Sequence, residues 1–273
     1  MSAISTWNDI VLSYRKASLN NGNHWHGEHA RWYDQWVKAN NYAREIYPIF
    51  QPFVHGKVLE IGAGTGLFTQ YLVQDADHID VLEPSVDMLD LLKANVSNQK
   101  KLNFCKTTIE QFDIKNRQYD FGFAAHAFFN VQHIDWVLND ILNSCNLLGV
   151  LIGNGKPLDV FQVFRDEELV ERERAHPPNH MNLIPVLDEC GLHYDICHLT
   201  STTRYTYQSE SELLKKIASQ NAIRMEKKQA YLEIMKPMIK QNEHGVYLQG
   251  NREHVCLLIS KDKVYFNNCT PAK

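Results

Sequence analysis

The stretch Lys57-Val58-Leu59-Glu60-Ile61-Gly62-Ala63-Gly64-Thr65-Gly66 constrains this chain more than any other. A short apolar, β-branched run reads as a buried strand, and the glycines that end it remove Cβ atoms where a tight turn needs positive φ and a ligand needs close access to main-chain N–H groups. The apolar pattern resumes at once with helical spacing from Leu67 to Val73, so strand, glycine turn and helix follow one another without a linker. Such a unit belongs in a parallel sheet crossed by helices, with a ligand cradle at the strand end. The dinucleotide fingerprint G-x-G-x-x-G would place glycine at position 67, which is Leu67, so pyrophosphate binding of the nicotinamide type is the weaker fit.

Strand and helix signals continue to alternate beyond the turn. His78 to Glu83, Leu102 to Lys106, Tyr119 to Ala125 and Val150 to Gly153 read as strands. Ser85 caps a helix running to about Val96, and Ile134, Val137, Leu138, Ile141, Leu142 and Cys145 form one apolar stripe along another. Further on, a charged helix is expected from Asp159 to about Ala175, a short one from Met181 to Cys190, and a strand from His193 to Thr203. Two polar amphipathic helices, about 211–221 and 222–241, then precede a last strand from Val255 to Ser260. The expected fold is α/β: a doubly wound, mostly parallel seven-stranded sheet, whose last strand, reached by a long connection, is open to antiparallel pairing. Residues 1–53, rich in aromatics and histidine, are expected to form a helical cap belonging to the same domain. Residues 54–273 carry the sheet, with a helical insertion at about 205–250.

The second strand ends in Val81-Leu82-Glu83-Pro84-Ser85, which puts a carboxylate beside the glycine turn, suited to accept hydrogen bonds from both hydroxyls of a ribose. Glycine turn and acid together make a nucleoside site. In these residues the chain resembles the class I S-adenosylmethionine-dependent methyltransferases, well over about 54–155 and loosely elsewhere. The resemblance implies that Glu60, Gly62, Ala63, Gly64 and Gly66 line the methionine part of S-adenosylmethionine. It also implies that Glu83 and Pro84 hold the ribose side, and that Met88, Thr108 and Ile109 border the adenine. Thr108 stands where relatives often carry an aspartate. Tyr119-Asp120-Phe121-Gly122-Phe123-Ala124-Ala125-His126-Ala127 is similar to the family's fourth motif, which places Ala125 and His126 against the cofactor.

His126 is the natural candidate for a general base, because an imidazole titrates near neutrality and an oxygen or carbon acceptor must lose a proton. Tyr14, Trp25 and Trp36 offer rigid faces for a lid over the cofactor, and His180 follows a Pro177-Pro178 loop on the acceptor side. The run Asn23-His24-Trp25-His26-Gly27-Glu28-His29 contains good metal ligands, but His24 and His26 diverge on a helix, so no metal is expected. A net charge of -4 offers no basic field for a phosphate backbone. A small-molecule acceptor methylated on oxygen or nitrogen is therefore expected, with no nucleic-acid partner. A silent cofactor-binding scaffold and a macromolecular acceptor are the alternatives. The six cysteines form no C-x-x-C pair and are expected to be reduced. No apolar run approaches the ~20 residues of a membrane span, and no basic and apolar leader opens the chain, so a cytoplasmic monomer or homodimer is expected.

Overall fold

The computed structural model describes residues 1–20, 25–170 and 176–266. They form two compact units, one containing 1–155, 176–199 and 254–266, the other 156–170 and 200–253. The first unit opens with three helices, α1 (Ala3–Asn20), α2 (Gly27–Asn40) and α3 (Ala43–Phe50). It continues through β1 (Lys57–Ile61), α4 (Thr69–Asp75), β2 (His78–Leu82), α5 (Val86–Asn95), β3 (Leu102–Cys105), β4 (Phe121–Ala125), α6 (Ile134–Ser144) and β5 (Leu148–Gly153). The chain then gives α7 (Gln162–Asp166) to the second unit and α8 (His180–Glu189) to the first. β6 (His193–Tyr207) and β8 (Gly245–Ser260) contribute residues to both, and between them α9 (Glu210–Gln220), α10 (Lys228–Met235) and β7 (Lys240–Asn242) belong to the second.

The sheet order is β3-β2-β1-β4-β5-β8-β6, with β7 paired to β8 off this path. The first five strands pair in parallel, and β8 runs antiparallel to β5 from Leu148↔Ile259 to Gly153↔His254. Period-two alternation sends neighbouring strand residues to opposite faces. Leu59, Ile61, Leu82, Val150, Val255 and Leu257 pack with Trp7, Leu138 and Leu187 on one face. Val58, Val81, Phe123, Leu151 and Cys256 pack with Tyr42, Phe50 and Leu72 on the other. Both faces are thus covered, which is why these strands read as continuous apolar runs. The order of strands reverses between β1 and β4, the position at whose carboxyl ends open α/β sheets hold their ligands.

Several expectations are corrected. β8 begins at Gly245, ten residues before the expected Val255, because residues 245–253 are polar and only intermittently buried and so lack a strand signature. The charged helix expected from Asp159 is a short 3-10 turn, Asp159–Phe161, followed by α7, and the chain leaves it at Glu168 with φ 53°. Cys197 is disulfide-bonded, whereas Cys105, Cys145, Cys190 and Cys256 are free. Spacing along the chain carries no information about which distant thiols folding brings together.

The second unit has its own small core. Phe161 stacks on Phe164 at 5.4 Å, Phe164 meets Tyr231 edge-on at 5.5 Å, and the Tyr231 hydroxyl donates to the Leu214 carbonyl at 2.7 Å. Arg204 lies over the Tyr247 ring at 4.6 Å while donating to Gln249. No helix among the described residues is long and apolar enough to cross a membrane.

Candidate active site

The glycine turn carries positive φ at Gly62 (66°), Gly64 (57°) and Gly66 (86°). The three glycines serve different needs. A Cβ at Gly62 would lie 2.7 Å from the Ala127 Cβ, so Gly62 lets the ends of β1 and β4 meet; one at Gly66 would strike Leu92 of α5 at 2.9 Å. A Cβ at Gly64 would meet nothing within 4 Å, which leaves open space over the middle of the turn. The Gly64 N–H donates to Glu83 Oε2 at 2.8 Å, and Ser85 N–H donates to Glu83 Oε1 at 2.8 Å. Glu83 is therefore fixed beside the glycine turn, and burial raises its pKa against the pull of those two N–H donors.

Glu60 points to the α4 side of the sheet. It is fully enclosed, accepts from the Thr69 hydroxyl at 2.7 Å, and is pushed up to about 8 by burial, with the Glu83 charge adding to the rise. At neutral pH Glu60 is therefore largely a neutral carboxylic acid.

The N-terminal helices close over these strand ends. Trp25 receives a hydrogen bond on its carbonyl from the Ser85 hydroxyl at 2.6 Å, and Gly27 N–H donates to Asp87 Oδ2 at 2.7 Å. That N–H and the neighbouring His26, 3.3 Å from the same oxygen, hold Asp87 below the usual carboxylate range. Further along α2, buried Asp34 accepts from Asn95 at 2.7 Å, and Asn95 also donates to the Thr65 carbonyl in the glycine turn at 2.8 Å. Helix α1 serves the loops after β3 and β4: Arg15 reaches Gln132 at 2.9 Å, the Asn130 carbonyl, and Glu110 at 3.7 Å, and Tyr14 packs edge-on against Phe129 at 5.8 Å.

The residues expected at the site are distributed as follows. Gly62, Ala63 and Gly64 are half-buried at the end of β1; Thr108 is half-buried and Ile109 buried after β3; Ala125 and His126 are half-buried at the end of β4. Pro84 is exposed, and Met88 is buried under the Ser85 cap. Trp25 and Trp36 join an aromatic series on α2: Trp25 meets Tyr33 at 5.1 Å, and Trp36 meets Tyr33 at 6.3 Å and Trp32 at 6.5 Å. His180 meets His198 edge-on at 6.0 Å. Among the described residues no group of three or more His, Cys, Asp or Glu could hold a metal ion. His24 lies outside the described residues; His26 turns to Asp87, and His29 sits between Trp25 and Trp32.

Two residues beside His126 had no sequence motif to announce them. Tyr42 and His254 stack at 5.3 Å with an 18° tilt, and each lies 6.1 Å from the His126 ring. His126 itself has φ 52°, and its N–H donates to the Leu151 carbonyl at 2.8 Å. The one available signal was a histidine opening the apolar run Val255 to Ile259; nothing local marked Tyr42 or Asn95.

Residues 58–146, which carry the glycine turn, Glu83 and His126, match the methyltransferase domain family. Malonyl-[acyl-carrier protein] O-methyltransferases 1 and 2 of Ilyobacter polytropus are 28% identical to this chain over 106 residues and 32% identical over 78. Those matches cover 36% and 28% of this chain and only 38% and 30% of the relatives. Among solved structures, the plantazolicin methyltransferase BpumL in complex with SAH is 11% identical, with 95% of this chain and 99% of that one covered, at a TM-score of 0.54. A candidate methyltransferase from Bacillus halodurans C-125 is 12% identical, with 81% and 100% covered, at a TM-score of 0.53.

Proposed function

We propose that this chain transfers a methyl group from S-adenosylmethionine to an oxygen or nitrogen of a small acceptor. The observation that carries this reading is the open space over Gly64, whose N–H is held by Glu83 at the strand switch point. The residues fit a nucleoside cofactor. Gly64 leaves open space over the turn, Glu83 offers a carboxylate for ribose hydroxyls, and Met88, Thr108 and Ile109 supply the adenine border. When bound, the sulfonium cofactor supplies a methyl group already activated for displacement. The protein's work is then to hold the acceptor in line at about 3–3.5 Å, to exclude water and to take up a proton where the acceptor carries one. His126, at the end of β4, is assigned that proton.

The similar proteins support a small acceptor or one tethered to a carrier, since they are named for methylation of malonyl-[acyl-carrier protein] and of plantazolicin. The charge of -4 weighs against a nucleic-acid acceptor. Calorimetry with S-adenosylhomocysteine tests the reading: one site per chain is expected, weakened at least about tenfold (~1.4 kcal/mol) by Glu83→Ala. A folded protein with no heat of binding would overturn it.

A further inference from the structure

We propose that Glu60 is the charge-compensating group of the cofactor site: it gives up its proton when the sulfonium cofactor binds and takes one back when the demethylated product is left. This rests on the methyltransferase reading and deepens it by saying how the site tells S-adenosylmethionine from S-adenosylhomocysteine.

The sheet encloses two carboxyl groups on neighbouring strands and surrounds them in opposite ways. Asp80 on β2 is 1% exposed and is ringed by donors: the Tyr119 hydroxyl at 2.6 Å, Asn103 at 2.8 Å, His78 and Arg117 each at 3.1 Å, and Lys57 at 3.9 Å. Such a setting holds a charged carboxylate away from water. Glu60 on β1 is 2% exposed and has one donor, the neutral Thr69 hydroxyl at 2.7 Å. Its neighbours in register are Val81 of β2 and Phe123 of β4. The titratable group that faces it is a second acid, Glu83, two residues beyond Val81 and so on the same face. Among the described residues no Lys, Arg or His forms an ion pair with Glu60 or Glu83. A carboxylate buried without a cation is costly, so the group keeps its proton instead. Burial, with the Glu83 charge adding to it, accordingly pushes Glu60 up to about 8.

The cofactor brings the positive charge that no protein group supplies to this pair. S-adenosylmethionine carries an ammonium, a carboxylate and a sulfonium, hence one excess positive charge; S-adenosylhomocysteine has lost the sulfonium charge and is neutral overall. Glu60 needs no contact with either molecule. Its enclosure gives the weak screening in which a charge acts at a distance. On binding, the Glu60 O–H bond breaks, its electron pair stays on the carboxylate and the proton passes to solvent. After methyl transfer the reverse step restores the neutral acid. By linkage, a ligand whose binding releases a proton binds more tightly as pH rises. A fall of about one unit, from about 8 to about 7, gives an affinity gain of about threefold between pH 6 and pH 7.5.

The test titrates the full chain calorimetrically with S-adenosylmethionine and with S-adenosylhomocysteine at pH 6 and pH 7.5. The ligands' own ammonium groups titrate near about 7.7–8, so Glu60→Gln, which meets the same ligands, isolates the protein's proton. The ratio of the two affinities is expected to move towards S-adenosylmethionine by at least about threefold in the parent chain and by less than about 1.5-fold in Glu60→Gln. A flat ratio in the parent chain, or an equal rise in Glu60→Gln, overturns the proposal. Infrared difference spectra give a second readout: the carboxylic-acid carbonyl band of the parent chain should fall when S-adenosylmethionine is added and stay when S-adenosylhomocysteine is added. If Glu60→Gln fails to fold, these spectra decide, and a band unmoved by S-adenosylmethionine overturns the proposal. Both compounds binding with no pH-dependent difference sinks this inference alone, whereas a folded chain that binds neither sinks the methyltransferase reading with it.

Discussion

Within one turn, Gly62 and Gly64 separate packing from binding. Both have φ near 60°, where an L side chain costs about 1–2 kcal/mol, but only Gly62 has a neighbour, the Ala127 Cβ at 2.7 Å. Gly62→Ala is expected to lose about 2–4 kcal/mol of stability, strain and overpacking together. Gly64→Ala should lose only about 1 kcal/mol while weakening S-adenosylhomocysteine at least about tenfold, because its methyl group occupies the open space. Urea unfolding and calorimetry on both variants check this, and equal stability losses with equal affinities would contradict it. Glu60 carries a second prediction. Its pKa is raised in the folded chain, from 4.5 to about 8, so the folded state binds more protons than the unfolded one between those values. Its contribution to stability is complete below about pH 4.5 and declines as pH rises through 8, by up to roughly 1.4 kcal/mol per pH unit. Glu60→Gln keeps the Thr69 bond and removes the titration. Its stability relative to the parent protein should therefore rise between pH 5.5 and 8.5, as read from urea midpoints; a parallel pH dependence would place the titration elsewhere.

Helix α2 is fastened at two points, to α5 through His26, Gly27 and Asp87, and to the glycine turn through Asp34 and Asn95. Asn95→Ala removes two hydrogen bonds and leaves buried Asp34 paired with Lys38 at 2.7 Å. A cost of about 1–3 kcal/mol is expected, with faster amide hydrogen exchange across residues 27–40 and unchanged exchange in β4; uniform acceleration would refute a local fastening. At this scale the legible elements were those whose cause is local. β1 to β5 are continuous apolar runs because both faces are covered, Ser85 is a side-chain cap bonding the Met88 N–H, and the glycine turn has its own spacing. The rest carries no such local signature. Gly245 to Tyr247 become strand by pairing with Lys240 to Asn242 in a polar hairpin that carries no apolar alternation, and Tyr42, His126 and His254 converge from α3's approach, β4 and β8. A lone tyrosine and a lone histidine have no periodicity, so no local pattern could have joined them.

Over the whole chain, the two units differ in what reports on them. All five tryptophans, Trp7, Trp25, Trp32, Trp36 and Trp136, fall in the first unit, which also contains the glycine turn, Glu83 and His126, whereas residues 156–170 and 200–253 contain none. Trp7 is buried with its indole N–H donating to the Val131 carbonyl at 2.9 Å, and Trp25 is tied to the loop after β2 through Ser85. Tryptophan fluorescence therefore follows unfolding of the unit that carries the proposed cofactor site. A ligand that binds only the folded state at about 100 times its Kd adds about 2.7 kcal/mol. At about 2–4 °C per kcal/mol for a unit of this size, S-adenosylhomocysteine should raise the fluorescence-detected midpoint by roughly 5–10 °C. Glu83→Ala, compared with its own ligand-free midpoint at the same ligand concentration, should lose part of that shift, because a tenfold weaker site removes about 1.4 kcal/mol of linkage. An unmoved midpoint at saturating ligand would mean that this unit does not bind the cofactor. A full shift that survives Glu83→Ala would place the ribose contact on another residue, with Asp87 in the first turn of α5 and Thr108 on the loop after β3 the next side chains to replace.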